Sequence, residues 1–185
     1  MSLMQSPADF LRPAPVAWHT LSIQKLQQEY VGSQIRPTDV IAHFLSRVDQ
    51  LNPRLKAFIE LDREGAWCAA TISDRRFQQG EPRPLEGVPV AVAANIAVRG
   101  LEHSAGMDAR RRIVAQMDSE IVTKLREAGA IILGTLNMDE AGTGQTGSNP
   151  FFGTCINPHD INRATGGAAS GAATAVAAGM CMIAV

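Results

Sequence analysis

Apolar side chains at Val40, Ile41, Phe44, Leu45, Val48 and Leu51 keep the spacing of one buried helix face. Thr38, just after Pro37, is placed to start that helix, and Asn52-Pro53 to end it. An earlier helix is expected from a cap at Thr20 to about Tyr30. A third covers about 64–79, with Ala66, Ala69, Ala70 and Ile72 inward and Gly80 closing it. A fourth is capped by Asp118 or Ser119 and runs through Ala128, with Ile121, Val122 and Leu125 inward and Gly129 as its left-handed terminator. Between the helices lie apolar runs of strand length at 57–61, in the first part of 88–98, and at 130–135. Pro89 is tolerable because it opens its strand. Strand, helix, strand in that order makes a parallel βαβ unit, and the fold class is α/β.

Residues 168–185 carry no charge. Their Ala, Gly, Ser and Thr are too weakly hydrophobic for a membrane span, so a buried helix entering a strand at 182–185 is expected. The sequence stops inside this apolar stretch, where a domain seldom ends, so these residues are expected to be the N-terminal part of a longer fold. Residues 1–19, with Pro7, Pro13 and Pro15, read as an irregular arm.

Charge narrows the function classes. Seventeen basic against eighteen acidic residues leave a net charge of -1, without the basic face that nucleic-acid binding requires. The run Arg110-Arg111-Arg112 reads as a solvated loop. Three cysteines, Cys68, Cys155 and Cys181, lack paired spacing, which points to reduced thiols and a cytoplasmic setting. No secretory signal opens the chain, and no His/Cys/Asp/Glu cluster has metal spacing. Gly142-Thr-Gly144-Gln-Thr-Gly147 matches the dinucleotide fingerprint in letters only, because Asn137-Met-Asp-Glu-Ala141 intervenes after the preceding strand and Ser148-Asn-Pro150 is no helix start.

More specific is Thr165-Gly-Gly-Ala-Ala-Ser-Gly-Ala-Ala-Thr-Ala-Val-Ala-Ala-Gly179, paired glycines leading into an alanine-rich helix. Taken alone it fits tight helix–sheet packing or a backbone that approaches a ligand. The segment resembles the signature of the amidase-signature family of serine amidohydrolases. Gly87-Val-Pro-Val-Ala-Val-Ala-Ala-Asn-Ile96, Leu125 through Glu140 and Gly153-Thr-Cys-Ile-Asn-Pro-His-Asp160 resemble three further motifs of that family, in the same order. The resemblance implies an amidase-signature fold, a mixed, mainly parallel β-sheet surrounded by helices. It divides the chain into an arm with helices at 1–56 and the N-terminal part of a catalytic domain at 57–185.

The family cleaves C–N amide bonds with a serine nucleophile, a second serine on a cis peptide, and a lysine. An alcohol needs a nearby base before it attacks, and a desolvated lysine can be that base. Carried over by motif, the lysine position is Ala93 and the cis-serine position is Ala168, with Ala94 and Ala169 also replacing polar residues. The nucleophile would lie roughly two dozen residues after position 168, beyond Val185. Ser170 falls on a position without a catalytic role. By the same resemblance Thr143, Gly144, Gly166 and Gly167 would line the substrate, and Asn95 would order a strand end. His103 and His159 are expected as loop histidines, and Asp139-Glu140 is not expected to form a carboxylate pair on one face.

The expectation is an amidase whose chain, as it stands, is inactive. Two alternatives stay open: a non-catalytic pseudo-amidase that binds a small amide or a protein, and the amide-transferring subunit of a tRNA-dependent amidotransferase. The expected partner is a small-molecule amide, with no cofactor, no metal, no nucleic acid and no membrane; a homodimer is left open.

Overall fold

A computed structural model describes residues 17–185; most of the proline-rich arm expected at 1–19 lies outside them. A 3-10 turn at Trp18–Thr20 precedes five helices, α1 (Ile23–Val31), α2 (Pro37–Leu55), α3 (Arg63–Gln79), α4 (Glu120–Glu127) and α5 (Ser170–Ala177). Four strands, β1 (Phe58–Leu61), β2 (Pro89–Ala93), β3 (Ile131–Leu136) and β4 (Ile183–Ala184), form one sheet in the order β1-β3-β2-β4. β2 runs parallel to both β3 and β4, whereas β1 is antiparallel to β3. The sheet is thus mixed and mainly parallel, and β2–α4–β3 is the expected crossover unit.

Alternation along the strands divides the core. Ala91, Ile131 and Leu133 join the side chains of α1, α2, α3 and α5 on one face. Val90, Val92 and Ile132 pack with Val122 of α4, Val98 and Leu101 on the other. Of the α2 stripe, Val40, Ile41, Phe44, Leu45 and Val48 are all buried. No helix among the described residues is long and apolar enough to cross a membrane.

Several boundaries differ from the sequence reading, each for a local reason. Thr20 ends the 3-10 turn, and α1 is capped by Ser22, whose hydroxyl accepts from the Lys25 amide at 3.2 Å. In α2, Pro37 takes the first helical position and Thr38 lies inside, its amide and hydroxyl both donating to the Asp74 carboxylate. Asn52-Pro53 does not end α2, which continues to Leu55. The proline removes one amide from the last turn, where the loss is small, and the Asn52 carboxamide is engaged with both backbone groups of Phe58. Ile72 is 51% exposed; the inward face of α3 is Ala66, Ala70 and Ser73. Ile121 is 43% exposed, and Val122 alone of α4 is fully buried. Ser119 holds the cap position of α4 without a side-chain bond, while Asp118 accepts from the Arg99 amide at 2.7 Å. Gly80 and Gly129 both carry the positive φ expected of helix terminators.

One contact makes stability depend on pH. His19 Nδ1 lies 3.0 Å from His43 Nε2, with the rings stacked. Nearby, Arg47 donates to the carbonyls of Ala178 and Gly179 at the end of α5. Burial, then the Arg47 charge, lowers the pKa of His19; burial, then His19 and Arg47, lowers that of His43. The folded chain therefore binds these protons less readily than the unfolded one, whose histidines titrate near 6.5. The contribution is complete above that pH and is lost as pH falls through the lower folded values. The melting temperature should stay level above about pH 7 and decline below about pH 6.5, and His43→Phe should flatten that decline. A melting temperature that rises on acidification through this window would contradict the assignment.

Candidate active site

The C-terminal ends of β2 and β3 lie side by side. Ala93 pairs with Leu136, and the Ala94 amide donates to the Leu136 carbonyl at 3.0 Å. Ala93 is 5% exposed and packs with Ala94 and Met138 against Ile59 of β1. The next residue of β2's exit, Asn95, is exposed and offers its backbone carbonyl to His103 Nε2 at 3.0 Å.

Beyond β3, residues 137–139 form a buried strap that ties the site together. The Asn137 carboxamide donates to the carbonyls of Lys56 and Gly153, both at 2.9 Å, and its oxygen accepts from the Met138 amide at 2.8 Å. The Asn137 carbonyl receives the Gly171 amide of α5 at 2.9 Å. The Asp139 amide donates to the Ala168 carbonyl at 2.9 Å. Ala168 itself follows a cis Gly167–Ala168 peptide and is half-buried. Ala93 and Ala168 thus attach to neighbouring residues of one strap, Ala93 through Met138 and Ala168 through Asp139.

Asp139 is 2% exposed. Its Oδ2 accepts from the Thr146 amide at 3.1 Å, and its Oδ1 has no hydrogen-bond partner among the described residues. A Cβ on Gly144 or on Gly167 would run into this carboxylate, so both glycines let their loops close over it. Glu140 is exposed, and the two acids do not form a pair. Ser170, the first residue of α5, is buried against Gly147. Cys155 donates its thiol to the Lys56 carbonyl at 3.3 Å, and burial pushes its pKa up, with the Asp139 charge adding to the effect.

The remaining sequence candidates separate. Thr143 is exposed, its hydroxyl donating to the Glu140 carbonyl at 3.0 Å. Gly166 is half-buried, and a Cβ there would meet open space. His159 is exposed, but His103 is half-buried with both ring nitrogens near partners, Asn95 O and Arg110 Nη2. Arg110 and Arg111 are likewise engaged, Arg111 with Asp108 at 3.2 Å, so the arginine run is not a free basic patch. No helix opens at Gly147, which leaves the dinucleotide fingerprint without its context. Among the described residues no group of three His, Cys, Asp or Glu is placed to hold a metal ion. Residue order alone does not mark as organisers of this region Asn137, Asp139 and Asn149, whose carboxamide donates to the Met138 and Gly106 carbonyls, both at 2.8 Å. The available signal for Asp139 is the pair Gly144 and Gly167, which leave room for a buried carboxylate.

This arrangement has relatives. A subunit of the glutamyl-tRNA(Gln) amidotransferase of Coxiella burnetii (strain RSA 493 / Nine Mile phase I) is 35% identical over 160 residues, which are 86% of this chain and 33% of that protein. The subunit of the same name from Psychrobacter sp. (strain PRwf-1) is 37% identical over 87% of this chain and 32% of its own length. The chain therefore spans about a third of the length of these relatives. Among solved structures, native peptide amidase from Stenotrophomonas maltophilia superposes with a TM-score of 0.85 at 31% identity, covering 93% of this chain and 36% of that one. A bacterial aryl acylamidase of the amidase-signature enzymes gives 0.79 at 30% identity, covering 91% and 35%. The Amidase family model matches residues 39–185. With that match over most of its length, and with the sheet and helices of the amidase-signature fold, the chain belongs to the amidase family.

Proposed function

We propose that these residues form the amide-binding wall of an amidase and that the chain as it stands hydrolyses no amide. The observation that carries this reading is the pair of methyl groups at Ala93 and Ala168. The family resemblance asks for a lysine at the first and a serine at the second. Neither alanine can take or pass a proton, so a serine alcohol brought to this strap would remain a weak nucleophile. The nucleophile itself, by the same resemblance, belongs to residues beyond Val185. What the wall offers a substrate is backbone and small side chains: Thr143 and Gly144 on one loop, Gly166 and Gly167 on the other. Three free cysteines support a reducing, cytoplasmic setting.

The test is ammonia release from simple carboxamides by the pure chain. None above the buffer rate is expected; release proportional to protein concentration would sink the proposal.

The second reading, an amide-transferring subunit of a tRNA-dependent amidotransferase, is favoured by the 35% and 37% identity to proteins of that name. It predicts that glutamine raises the melting temperature in a concentration-dependent way, since a ligand of the native state stabilises by mass action. A shift with an aryl amide and none with glutamine would favour the first reading.

A further inference from the structure

A cavity of about 340 Å³ opens between the last turn of α2, strand β1 and the Phe151-Phe152 turn. Its volume lies in the range of small-ligand pockets, which run from roughly 300 Å³ upward. Phe58, Phe151 and Phe152 supply aromatic walls, and Lys56 and Arg111 supply cations, the Arg111 guanidinium being shared with Asp108, which its Nη1 meets at 3.2 Å. The Arg111 guanidinium carbon sits 4.8 Å from the centre of the Phe152 ring. Asp49, on the same wall, is already engaged by Arg63. Lys56 makes no ion pair among the described residues, so the cavity carries an ammonium that nothing nearby neutralises.

The backbone that carries Lys56 and the two turn phenylalanines is held before any ligand arrives. Lys56 is the left-handed terminator of α2, its amide donating to the Asn52 carbonyl at 2.9 Å. Its carbonyl accepts from Asn137 at 2.9 Å and from the Cys155 thiol at 3.3 Å. The lysine stem runs beside Gly153, where a Cβ would already lie 3.4 Å from Lys56 Cγ. Asn149 Oδ1 accepts the amides of both Phe151 and Phe152 at 2.9 Å and fixes that turn. The backbone under Lys56 and the phenylalanine turn is thus fixed, and the ordering cost on binding falls on the exposed Lys56 and Arg111 side chains.

We propose that this cavity binds an aromatic carboxylate, its ring among Phe58, Phe151 and Phe152 and its carboxylate on Lys56 and Arg111. The rings bury an apolar body, and ammonium and guanidinium make charge-assisted bonds to the anion. One unneutralised ammonium matches the single charge of a carboxylate better than the roughly two charges of a phosphate monoester. The inference does not depend on the amidase reading. The cavity adjoins that region through one side chain, Ile59, which lines it and also packs on Ala93, Ala94 and Met138.

Calorimetric titration of the chain with benzoate, phenyl phosphate and benzyl alcohol tests this. Saturable benzoate binding is expected, about tenfold weaker in Lys56→Gln. Phenyl phosphate should bind less tightly, and benzyl alcohol, which keeps the ring and lacks the charge, should not saturate. Lys56 carries a positive φ and several backbone contacts, so native circular dichroism is checked first. If that variant does not fold, the exposed change Arg111→Gln decides the same question by weakening benzoate. Absence of saturable benzoate binding, benzyl alcohol binding as tightly as benzoate, phenyl phosphate binding more tightly, or affinity unmoved in the folded variants would overturn the proposal.

Discussion

Replacing Glu86 with alanine is expected to cost about 3 kcal/mol of stability, read from the shift of the urea midpoint at neutral pH. Glu86 is 0% exposed, yet it holds a carboxylate. Arg83 meets it through Nε at 2.6 Å and Nη2 at 3.0 Å, and the Ser73 hydroxyl donates to it at 2.5 Å. Burial alone would raise its pKa; the bonds from Arg83 and Ser73 outweigh that and hold it below the usual carboxylate value. The same arginine reaches on to the Arg126 carbonyl at 2.9 Å, so one carboxylate fastens α3, the 81–87 loop and the end of α4. Removing it leaves Ser73 without its acceptor and the guanidinium half-desolvated, and breaking one side of a buried pair is the costly case. Arg83 is about a third exposed at its side chain, so water offsets part of the loss and the figure stays near the low end for buried pairs. Because the folded pKa is depressed, the stabilisation is present above the unfolded carboxylate pKa and is lost as pH falls through the folded one. The variant's deficit should therefore shrink in acid. A deficit under about 1 kcal/mol at neutral pH would show that the cluster is solvated rather than structural.

That cluster also shows where sequence reading stops. The periodic stripe of α2 and the unbroken runs of β2 and β3 are legible because one buried face per helix, or two per central strand, writes itself into residue order. Glu86 is invisible: it sits in a segment whose prolines and charges read as a plain loop, and only the fold brings Ser73 of α3 to it and the Arg126 carbonyl of α4 to its loop neighbour Arg83. The end of α2 falls elsewhere than expected because Pro53 signals a stop, whereas Asn52 and the left-handed Lys56 make the turn beyond it. Hydrophobicity alone turns Ile72 inward, but the packing surface of α3 is set by small residues, Ala66, Ala70 and Ser73, that let it lie close to the sheet. In the candidate site, Ala93 and Ala168 are identifiable only through resemblance, since an alanine carries no chemistry of its own to notice. Adjacency of Asp139 to Glu140 says nothing about which of the two turns inward. Burial and the loops bearing Gly144 and Gly167 decide that, and both are tertiary facts.

The close approach of α5 to the sheet yields the other large effect. Gly171→Ala is expected to destabilise the chain by about 3 kcal/mol or to prevent cooperative folding, whereas Gly166→Ala, on the loop before α5, should cost about 1 kcal/mol. A Cβ at position 171 would stand 2.6 Å from both the Ala57 carbonyl oxygen and the Asn137 nitrogen. Those two atoms are bonded to each other at 2.7 Å, and the Gly171 amide is itself bonded to the Asn137 carbonyl at 2.9 Å. The intruding methyl therefore meets backbone on every side, and no side-chain rotation relieves it. To make room, α5 must lift from the strap, which takes with it the loop that presents Gly167 and Ala168 to Asp139. At Gly166 a methyl meets open space, and the cost is only that of a positive φ in a residue with a Cβ. The pair thus separates contact from conformation: equal losses at the two positions, by chemical denaturation of both variants, would show that α5 does not seat on Asn137. The seating matters for function because, in the amidase reading, the groups the wall presents to a substrate from the 166–168 loop are positioned by that helix start together with the Asp139 amide on the Ala168 carbonyl.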